Sequence, residues 1–206
     1  MVIAFDTAHK SIASDLRAQL GTKNEPVATR RIVRVESLFP DTNLVDWLRD
    51  QTSPAKVYWS DREGAFEVAG IGVAAEKSAD TQPDLDVFFN EIRADLITRH
   101  PNLRYYGGFR FDMDRARTDA WQPFRTCRFV VPQFEIGRLG NRYYFAYNVL
   151  VEADESPADY LDDALRYIDG IELPAAELDM PLPEVADRVD RPDAEAWHTI
   201  VGAALS

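Results

Sequence analysis

The sequence predicts an α+β fold for this chain of 206 residues, a predominantly antiparallel sheet flanked by helices. Two observations carry the prediction: segments with helical spacing are mixed with strand-like segments, and the strands are joined mainly by hairpins. A third is the composition, with 46% hydrophobic and 11% aromatic residues. This is enough apolar surface for a real core, and it excludes wholesale disorder.

The helices are predicted from apolar residues that recur every three or four positions and from residues that cap helix ends. The predicted segments are residues 8–20, a short helix capped by Asp41 or Thr42, a helix from Thr81 or Asp84 to His100-Pro101, and a helix from Ser156-Pro157 to Gly170. The apolar residues that define these helices are Ile12, Leu16, Leu20, Leu44, Val45, Trp47, Leu48, Leu85, Phe88, Phe89, Ile92, Leu96, Tyr160, Leu161, Ala164, Leu165 and Ile168, and the last five are predicted to point inward.

The strands are predicted from β-branched and aromatic residues bounded by turn residues. The predicted segments are Val27–Glu36, a hairpin with arms Val57–Ser60 and Ala65–Ala75, a strand Arg104–Asp112, and a long hairpin that begins near Phe124 and returns through Tyr143–Glu152. Gly64 supplies the positive φ that the first hairpin turn requires. The return arm of the long hairpin is largely apolar on both faces, which predicts a strand covered on both sides.

The C-terminal part of the chain has a different composition. Residues 173–192 are rich in Pro, Glu and Asp and predict an extended linker after an N-terminal domain of residues 1–172. A last helix is predicted within residues 193–206, with Trp197, Ile200, Val201 and Ala204 on one apolar stripe.

Charge and cysteine content narrow the possible partners and compartment. The net charge is −12, from 35 acidic and 23 basic residues, and it argues against a nucleic-acid partner and an anionic membrane surface. Cys127 is the single cysteine, so an intrachain disulfide is impossible. The first residues do not resemble a secretory signal, and no apolar run approaches the ~20 residues of a membrane span. These features predict a cytoplasmic protein.

The residues themselves show no catalytic constellation, and we predict no catalytic, cofactor-binding or metal-binding residue in this chain. His9, His100 and His198 lack metal-binding spacing, and Cys127 is interpreted as a small buried hydrophobe. The acidic pairs Asp84/Asp86 and Asp112/Asp114 lack the loop that a cation site requires. The aromatic residues are interpreted as a sheet core and not as a surface that stacks bases: Tyr58, Trp59, Tyr105, Tyr106, Phe109, Phe111, Phe129, Phe134, Tyr143, Tyr144 and Phe145.

Five segments in order give the chain a family resemblance. The first two, the YW pair and the FEVAGIG arm, lie within KVYWSDREGAFEVAGIGVAAE at Lys56–Glu76. The other three are YYGGFRFD at Tyr105–Asp112, CRFVVPQFEI at Cys127–Ile136 with its return hairpin, and the final helix at Arg191–Leu205. In this order and spacing they resemble the N-terminal half of isochorismate synthases, within the chorismate-utilising enzymes that also include anthranilate and salicylate synthases. The YW pair and the FVVPQFEI pattern resemble the menaquinone-pathway and siderophore-pathway isochorismate synthases more than they resemble anthranilate synthases.

The resemblance implies an enzyme whose chemistry lies in its second half. In the family that half supplies a lysine that activates water, a glutamate that acts as general acid, and glutamates that hold Mg²⁺ against the substrate carboxylates. The sequence ends before the strand expected to carry the lysine, so no catalytic or metal residue is transferred to it. We therefore expect an inactive fragment that packs against the C-terminal catalytic half, supplied in cis or in trans, or that forms a homodimer through exposed apolar surface.

Two other interpretations stay open at this point. The chain could be a stand-alone binding or regulatory module that keeps the fold without the enzyme. It could also be a fragment of a salicylate or anthranilate synthase, because the residues that separate these activities lie in the other half.

Overall fold

The computed structural model describes residues 2–96, 100–112, 119–171 and 191–204. Its α-helices are α1 (Val2–Gln19), α2 (Leu44–Asp50), α3 (Leu85–Leu96), α4 (Leu161–Asp169) and α5 (Ala194–Ala204). Its strands are β1 (Arg31–Phe39), β2 (Lys56–Ser60), β3 (Phe66–Ile71), β4 (Ala75–Ala79), β5 (Tyr106–Phe109), β6 (Cys127–Val131), β7 (Phe134–Leu139) and β8 (Arg142–Val151). Every described strand pair is antiparallel, and the predicted α+β class is confirmed.

The strands form two sheets. The large sheet has five strands in the order β1-β8-β7-β3-β2, and the small sheet has three in the order β4-β6-β5. Strand β8 lies between β1 and β7, where Asn148 pairs with Arg34 and Tyr144 pairs with Gly137. Among the described residues, β2 is an edge strand of the large sheet and β5 is an edge strand of the small sheet.

The first predicted hairpin forms, but its second arm is shorter than predicted. Strand β3 ends at Ile71, whereas the prediction ran to Ala75. Gly72 follows with a φ of +69°, and this left-handed conformation turns the chain away from the large sheet. The next strand, β4, therefore joins the small sheet. The turn itself is as predicted, with Gly64 at a φ of +68°.

The long hairpin was wrongly predicted as one continuous arm from Phe124. The chain passes instead through strand β6 of the small sheet and then strand β7 of the large sheet, with Pro132 between them. Proline has no N–H to donate and interrupts the ladder at this point. A Cβ on Gly70 would lie 2.6 Å from Pro132 Cγ, so the glycine of β3 makes room for the crossing. The return arm matches β8, and its predicted cover on both faces is confirmed.

The helices match the predicted segments with shifted ends. Helix α1 begins at Val2 instead of residue 8, and β1 lies at Arg31–Phe39 instead of Val27–Glu36. Helix α2 is capped by Asn43, whose Oδ1 accepts from the amides of Val45 and Asp46, and not by Asp41 or Thr42. Asp84 caps α3, and Leu85 is exposed although it was predicted on the apolar stripe of this helix.

One face of the large sheet carries the main core, which α1, α2 and α4 cover. Side chains alternate along each strand, so every second residue of β1, β3, β7 and β8 points to this face. Its fully buried members include Ile12, Leu16, Leu20, Leu44, Trp47, Ala69, Phe134, Ile136, Phe145, Tyr147 and Val151. The opposite face, here called the inner face, meets the small sheet, where Ile32 of β1 packs with Ala75, Leu103 and Val131.

The contacts divide the chain into two compact units, residues 1–176 and 177–206. In the second unit, α5 falls within the predicted last helix, and Asp193 Oδ1 caps it by accepting from the Ala196 amide. The predicted linker lies almost wholly at residues 172–190, outside the described residues, and the predicted domain boundaries stay a prediction. No described helix is long and apolar enough to cross a membrane.

Candidate functional site

A buried ion pair lies on the inner face of the large sheet. Arg34 of β1 places Nη2 2.7 Å from Oε1 of Glu135 on β7, and both side chains are at most 1% exposed. Arg34 Nη1 donates to Asn148 Oδ1 at 3.0 Å, and Asn148 Nδ2 donates to the Pro132 carbonyl oxygen at 2.8 Å. These contacts connect three adjacent strands and the crossing at Pro132. They are made by charged and amide groups, whose hydrogen bonds are strong when buried.

The same arginine reaches the segment that precedes the small sheet's edge strand. Arg34 Nε donates to Glu36 Oε2 at 3.1 Å, and Asn102 Nδ2 donates to both oxygens of Glu36 at 3.1 and 3.2 Å. We call Arg34, Glu36, Asn102, Glu135 and Asn148 the Arg34 network. It links the large sheet to the chain that leads into β5.

Two tyrosines border this network. The Arg34 guanidinium lies 5.5 Å from the ring centroid of Tyr144, and the ring covers Gly137, where a Cβ would approach it to 2.2 Å. The hydroxyl groups of Tyr106 and Tyr144 are buried without a hydrogen-bond partner among the described residues. Burial, followed by the charge of Glu135, raises the pKa of both tyrosines, so both stay neutral.

Burial and the neighbouring charges shift the pKa values of the network residues in opposite directions. Burial by itself lowers the pKa of Arg34, but Glu135 and Glu36 outweigh it and raise that pKa above its ordinary value. Burial raises the pKa of Glu135, while Arg34 opposes the increase. A permanently charged arginine that is satisfied on several sides holds the sheets together. It does not provide the proton exchange near neutral pH that acid–base chemistry requires.

A second feature, which we call the edge cleft, opens beside the network. It has a volume of about 850 Å³. Its lining consists of Lys56–Trp59 of β2, Tyr106–Phe109 of β5, the next residues Arg110–Asp112, and Trp121, Phe124, Arg128 and Val130. Strand alternation places Trp59 on the inner face of the large sheet, and Tyr106 pairs with Val130 and Gly108 with Arg128 in the small sheet. The edge cleft is therefore a gap between the two sheets at the β2 edge.

The cleft is rich in exposed aromatic surface. Tyr58 and Trp59 are 46% and 47% exposed, and Phe111, Trp121 and Phe124 are also exposed. The prediction that the aromatic residues form a sheet core is thus wrong for Tyr58, Trp59 and Phe111. It is confirmed for Tyr106, Phe134, Tyr144 and Phe145, which are buried. An exposed aromatic group of this size indicates a binding surface.

The charge of the cleft also differs from that of the chain. Its lining holds three basic residues, Lys56, Arg110 and Arg128, against one carboxylate, Asp112, in a protein of net charge −12. Arg128 donates to Glu76 Oε2 of β4 at 3.0 Å, which fixes its position on the wall. The same carboxylate offsets the charge of Arg128, so the cleft is less basic than a count of its lining residues suggests.

The residues tested for chemistry in the sequence have different surroundings. His9 Nε2 is 3.7 Å from Asp169 Oδ1, burial lowers the pKa of His100, and Cys127 is buried with its pKa raised by burial. Cys127 is thus confirmed as a buried residue. Over the described ranges, no group of three or more His, Cys, Asp or Glu side chains could hold a metal ion. Residues 113 and 114 lie outside those ranges, and the prediction that the chain has no site residues stays a prediction.

Sequence reasoning missed the Arg34 network entirely. The available signal was a charged or amide residue inside an otherwise apolar strand: Arg34 within IVRV, Glu135 within QFEI and Asn148 within YNVLV. Such residues are almost never fully buried unless they are paired, so three of them in strands indicate a shared partner.

Comparison with known proteins supplies what the geometry does not. The sequence model of the family described as "Chorismate binding enzyme" matches residues 17–206. The chain belongs to the chorismate-binding enzyme family. Within it, the chain is 28% identical over 157 residues to isochorismate synthase 2, chloroplastic, of Arabidopsis thaliana, covering 66% of this chain and 27% of the plant protein.

A solved structure extends the similarity to the fold. The chain matches MenF, the menaquinone-specific isochorismate synthase from Escherichia coli, with a TM-score of 0.60 and 20% identity. The match covers 98% of this chain and 41% of that chain. The chain thus spans less than half the length of both isochorismate synthases, and the resemblance derived from its five segments is confirmed.

Proposed function

We propose that this chain is the N-terminal region of an isochorismate synthase, whose intact form isomerises chorismate to isochorismate for menaquinone or siderophore biosynthesis. The observation that carries the proposal is the combination of a family match over residues 17–206 with similarity to two isochorismate synthases. The buried free thiol of Cys127 supports a cytoplasmic location.

The proposed role of the chain itself is structural. The reaction needs a base, an acid and Mg²⁺, and the described residues do not fit a site for the ion, since they contain no cluster of three possible ligands. The two features of the inner face are also unsuited to it: the Arg34 network is an internally paired connection, and the edge cleft is an open aromatic surface. We place the Mg²⁺ ligands and the acid and base in the C-terminal catalytic half, which is the partner of this chain in cis or in trans.

A chorismate conversion assay tests this role. The purified 206-residue protein with Mg²⁺ is expected to give no isochorismate above background. Addition of the isochorismate synthase C-terminal region encoded in the same genome, in frame with this chain or in another gene, is expected to restore turnover. Turnover by the chain alone would overturn the structural role, and a mixture without turnover would overturn the assignment to an isochorismate synthase.

A stand-alone ligand-binding module is the second candidate, and the edge cleft favours it. A volume of about 850 Å³ lies within the range of about 300–1,000 Å³ that is common for small-molecule sites. A genome without any isochorismate synthase C-terminal region would favour this candidate.

A homodimer that closes the cleft would be detected by light scattering of the chain alone.

A further inference from the structure

Three buried polar side chains converge between the two sheets. Strand alternation places Glu135 of β7 and Tyr144 of β8 on the inner face of the large sheet. Tyr106 of β5 pairs with Val130 and lies on the face of the small sheet that is turned toward them. Glu135, Tyr144 and Tyr106 are 0%, 5% and 8% exposed. Their polar groups are therefore removed from bulk water and depend on partners inside the protein.

Part of this polar surface lacks such a partner. Glu135 Oε1 is held 2.7 Å from Arg34 Nη2. The other carboxylate oxygen, Oε2, and the hydroxyls of Tyr106 and Tyr144 are buried without a hydrogen-bond partner among the described residues. A buried polar group in this state costs free energy, because folding has removed its hydrogen bonds to water. Three such atoms close together indicate a shared partner that the described residues do not supply.

The electrostatics and the packing show how close the three groups are. After burial, the charge of Glu135 is the next largest cause of the raised pKa of both tyrosines. A Cβ on Gly137 would lie 2.2 Å from the Tyr144 hydroxyl oxygen, so this hydroxyl lies directly above β7. Gly137 is two residues from Glu135, a separation of about 7 Å along a strand. This spacing suits a bridge through one small molecule better than a direct hydrogen bond.

The neighbouring residues leave room for the bridge and a path to it. Ala146 pairs with Glu36 on one side and with Glu135 on the other, so only a methyl group lies between these two acidic residues on the inner face. Tyr106 lines the edge cleft, which is open to solvent. A small molecule can therefore reach the space between the sheets from the cleft.

The charges around this space select the kind of molecule. Glu36 and Glu135 repel an anion, and the Arg34 guanidinium, which already pairs with both, disfavours a second cation. A neutral molecule that donates and accepts hydrogen bonds suits one carboxylate oxygen and two hydroxyls. Water has these properties, and a buried water typically makes about three hydrogen bonds to groups that are otherwise unsatisfied.

We propose that an ordered water molecule is bound between the sheets, where it donates to Glu135 Oε2 and accepts from the hydroxyls of Tyr106 and Tyr144. The water joins β5 of the small sheet to β7 and β8 of the large sheet. It is a second polar link between the sheets, beside the contact of Asn102 with Glu36. This inference concerns the interior of the chain and does not depend on the enzyme assignment.

Removal of each hydroxyl tests the proposal through the sign of the stability change. Tyr106→Phe and Tyr144→Phe keep the ring and lose one hydrogen bond to the water, so each should raise the equilibrium constant for unfolding roughly fivefold. A hydroxyl without any partner would itself be unfavourable. Its removal would leave that constant unchanged or lower it, and this outcome overturns the proposal. The control is Tyr58→Phe, which removes an exposed hydroxyl and should change the constant at most about twofold.

Oxygen-17 magnetic relaxation dispersion separates a bound water from a direct bond between a tyrosine and the carboxylate, because it counts long-lived internal waters. The natural 206-residue chain is expected to hold one more such water than the double variant Tyr106→Phe/Tyr144→Phe, in which Glu135 Oε2 is the only remaining partner. Tyr147→Phe, on the opposite face of β8, should keep the count of the natural chain. Equal counts in the natural chain and the double variant overturn the proposal.

A high-resolution crystal structure of the natural chain is a test that needs no variant. Electron density for one water oxygen is expected at about 2.5–3.2 Å from Glu135 Oε2 and from the hydroxyls of Tyr106 and Tyr144. Each of three other results overturns the proposal: no density at this position, a direct hydrogen bond from either hydroxyl to the carboxylate, or an ion in place of the water.

Discussion

Strands β8 and β2 belong to the same sheet and both carry aromatic residues, but their surroundings are opposite. In β8, Phe145 and Tyr147 are 1% and 2% exposed, because helices cover that face and strands lie on both edges. In β2, Tyr58 and Trp59 point to opposite faces and are nearly half exposed. Similar side chains are therefore core in one strand and surface in the other. The number of neighbouring elements makes the difference.

The largest expected effect comes from breaking the buried ion pair beside β8. Arg34→Ala leaves Glu135 as an uncompensated buried carboxylate, and we expect the free energy of unfolding to fall by about 3–5 kcal/mol. Urea denaturation measures it. The control is Arg138→Ala, which removes a partly exposed pair with Glu67 and should lower stability by about 0–1 kcal/mol. Equal losses in the two variants would contradict the distinction between interior and edge.

A comparable loss is expected from truncating an aromatic side chain in β8. Phe145 packs against Phe39 and Phe134, with ring centroids 6.0 and 5.4 Å away. Phe145→Ala should destabilise the fold by about 3–5 kcal/mol through the lost burial and the cavity left behind. Trp59→Ala in β2 is the matched edge variant and should cost only about 1 kcal/mol, since half of the side chain is exposed. A Trp59→Ala loss as large as that of Phe145→Ala would show that β2 is covered in solution.

A smaller effect is expected from the two adjacent glycines of β5, which test the other wall of the cleft. A Cβ on Gly107 would lie 2.0 Å from the Arg128 carbonyl oxygen, whereas a Cβ on Gly108 would meet nothing within 4 Å. Gly107→Ala should therefore destabilise the chain by about 1–3 kcal/mol, because β5 and β6 must separate. Gly108→Ala should change stability by at most about 0.5 kcal/mol. Thermal unfolding of the two variants makes the comparison, and equal midpoints would argue against this close approach.

The smallest expected effect is a pH dependence at the cleft wall. Burial by itself raises the pKa of Glu76, but hydrogen bonds from Arg128 and Ser78 outweigh it, so the pKa lies below its ordinary value of 4.5. The folded state thus binds this proton less readily than the unfolded state. The resulting stabilisation is present above pH 4.5 and is lost as the pH falls through the folded-state pKa.

The variant Glu76→Gln isolates that contribution. We expect it to be less stable than the natural chain at neutral pH by about 1 kcal/mol or less, because the pair is partly exposed. The difference should shrink as the pH falls through the folded-state pKa of Glu76, below which this carboxyl is protonated in both states. Urea denaturation across this range measures it, and a difference that does not depend on pH would contradict the assigned role of Arg128.

The sequence predicted local structure well where one element explains its own pattern. The stripe of Ile12, Leu16 and Leu20, the turn at Gly64 and the cap at Asp84 all appear as expected. It failed where a strand changes sheets, at Gly72 and at Pro132. Residues on either side of such a crossing have the same β-forming composition. Alternation along the strand therefore does not reveal which sheet each half joins.

The candidate site was largely hidden for the same reason. Arg34, Glu135 and Asn148 are separated by up to 114 residues, and no local spacing rule connects them. The edge cleft was hidden as well, because Tyr58 and Trp59 have the composition of core residues. The family resemblance, in contrast, was visible in five ordered segments and gave the identity that the geometry alone does not supply.

By itself the amino-acid sequence determined the α+β class, most of the helices and strands and the family, because these depend on periodicity, caps and motif order within short stretches. Tertiary structure decided the division into two sheets, the pairing of Arg34 with Glu135 and the exposure of β2. Pairing and burial are properties of neighbours brought together from distant parts of the chain. The free energy that selects them comes from contacts that no local window contains.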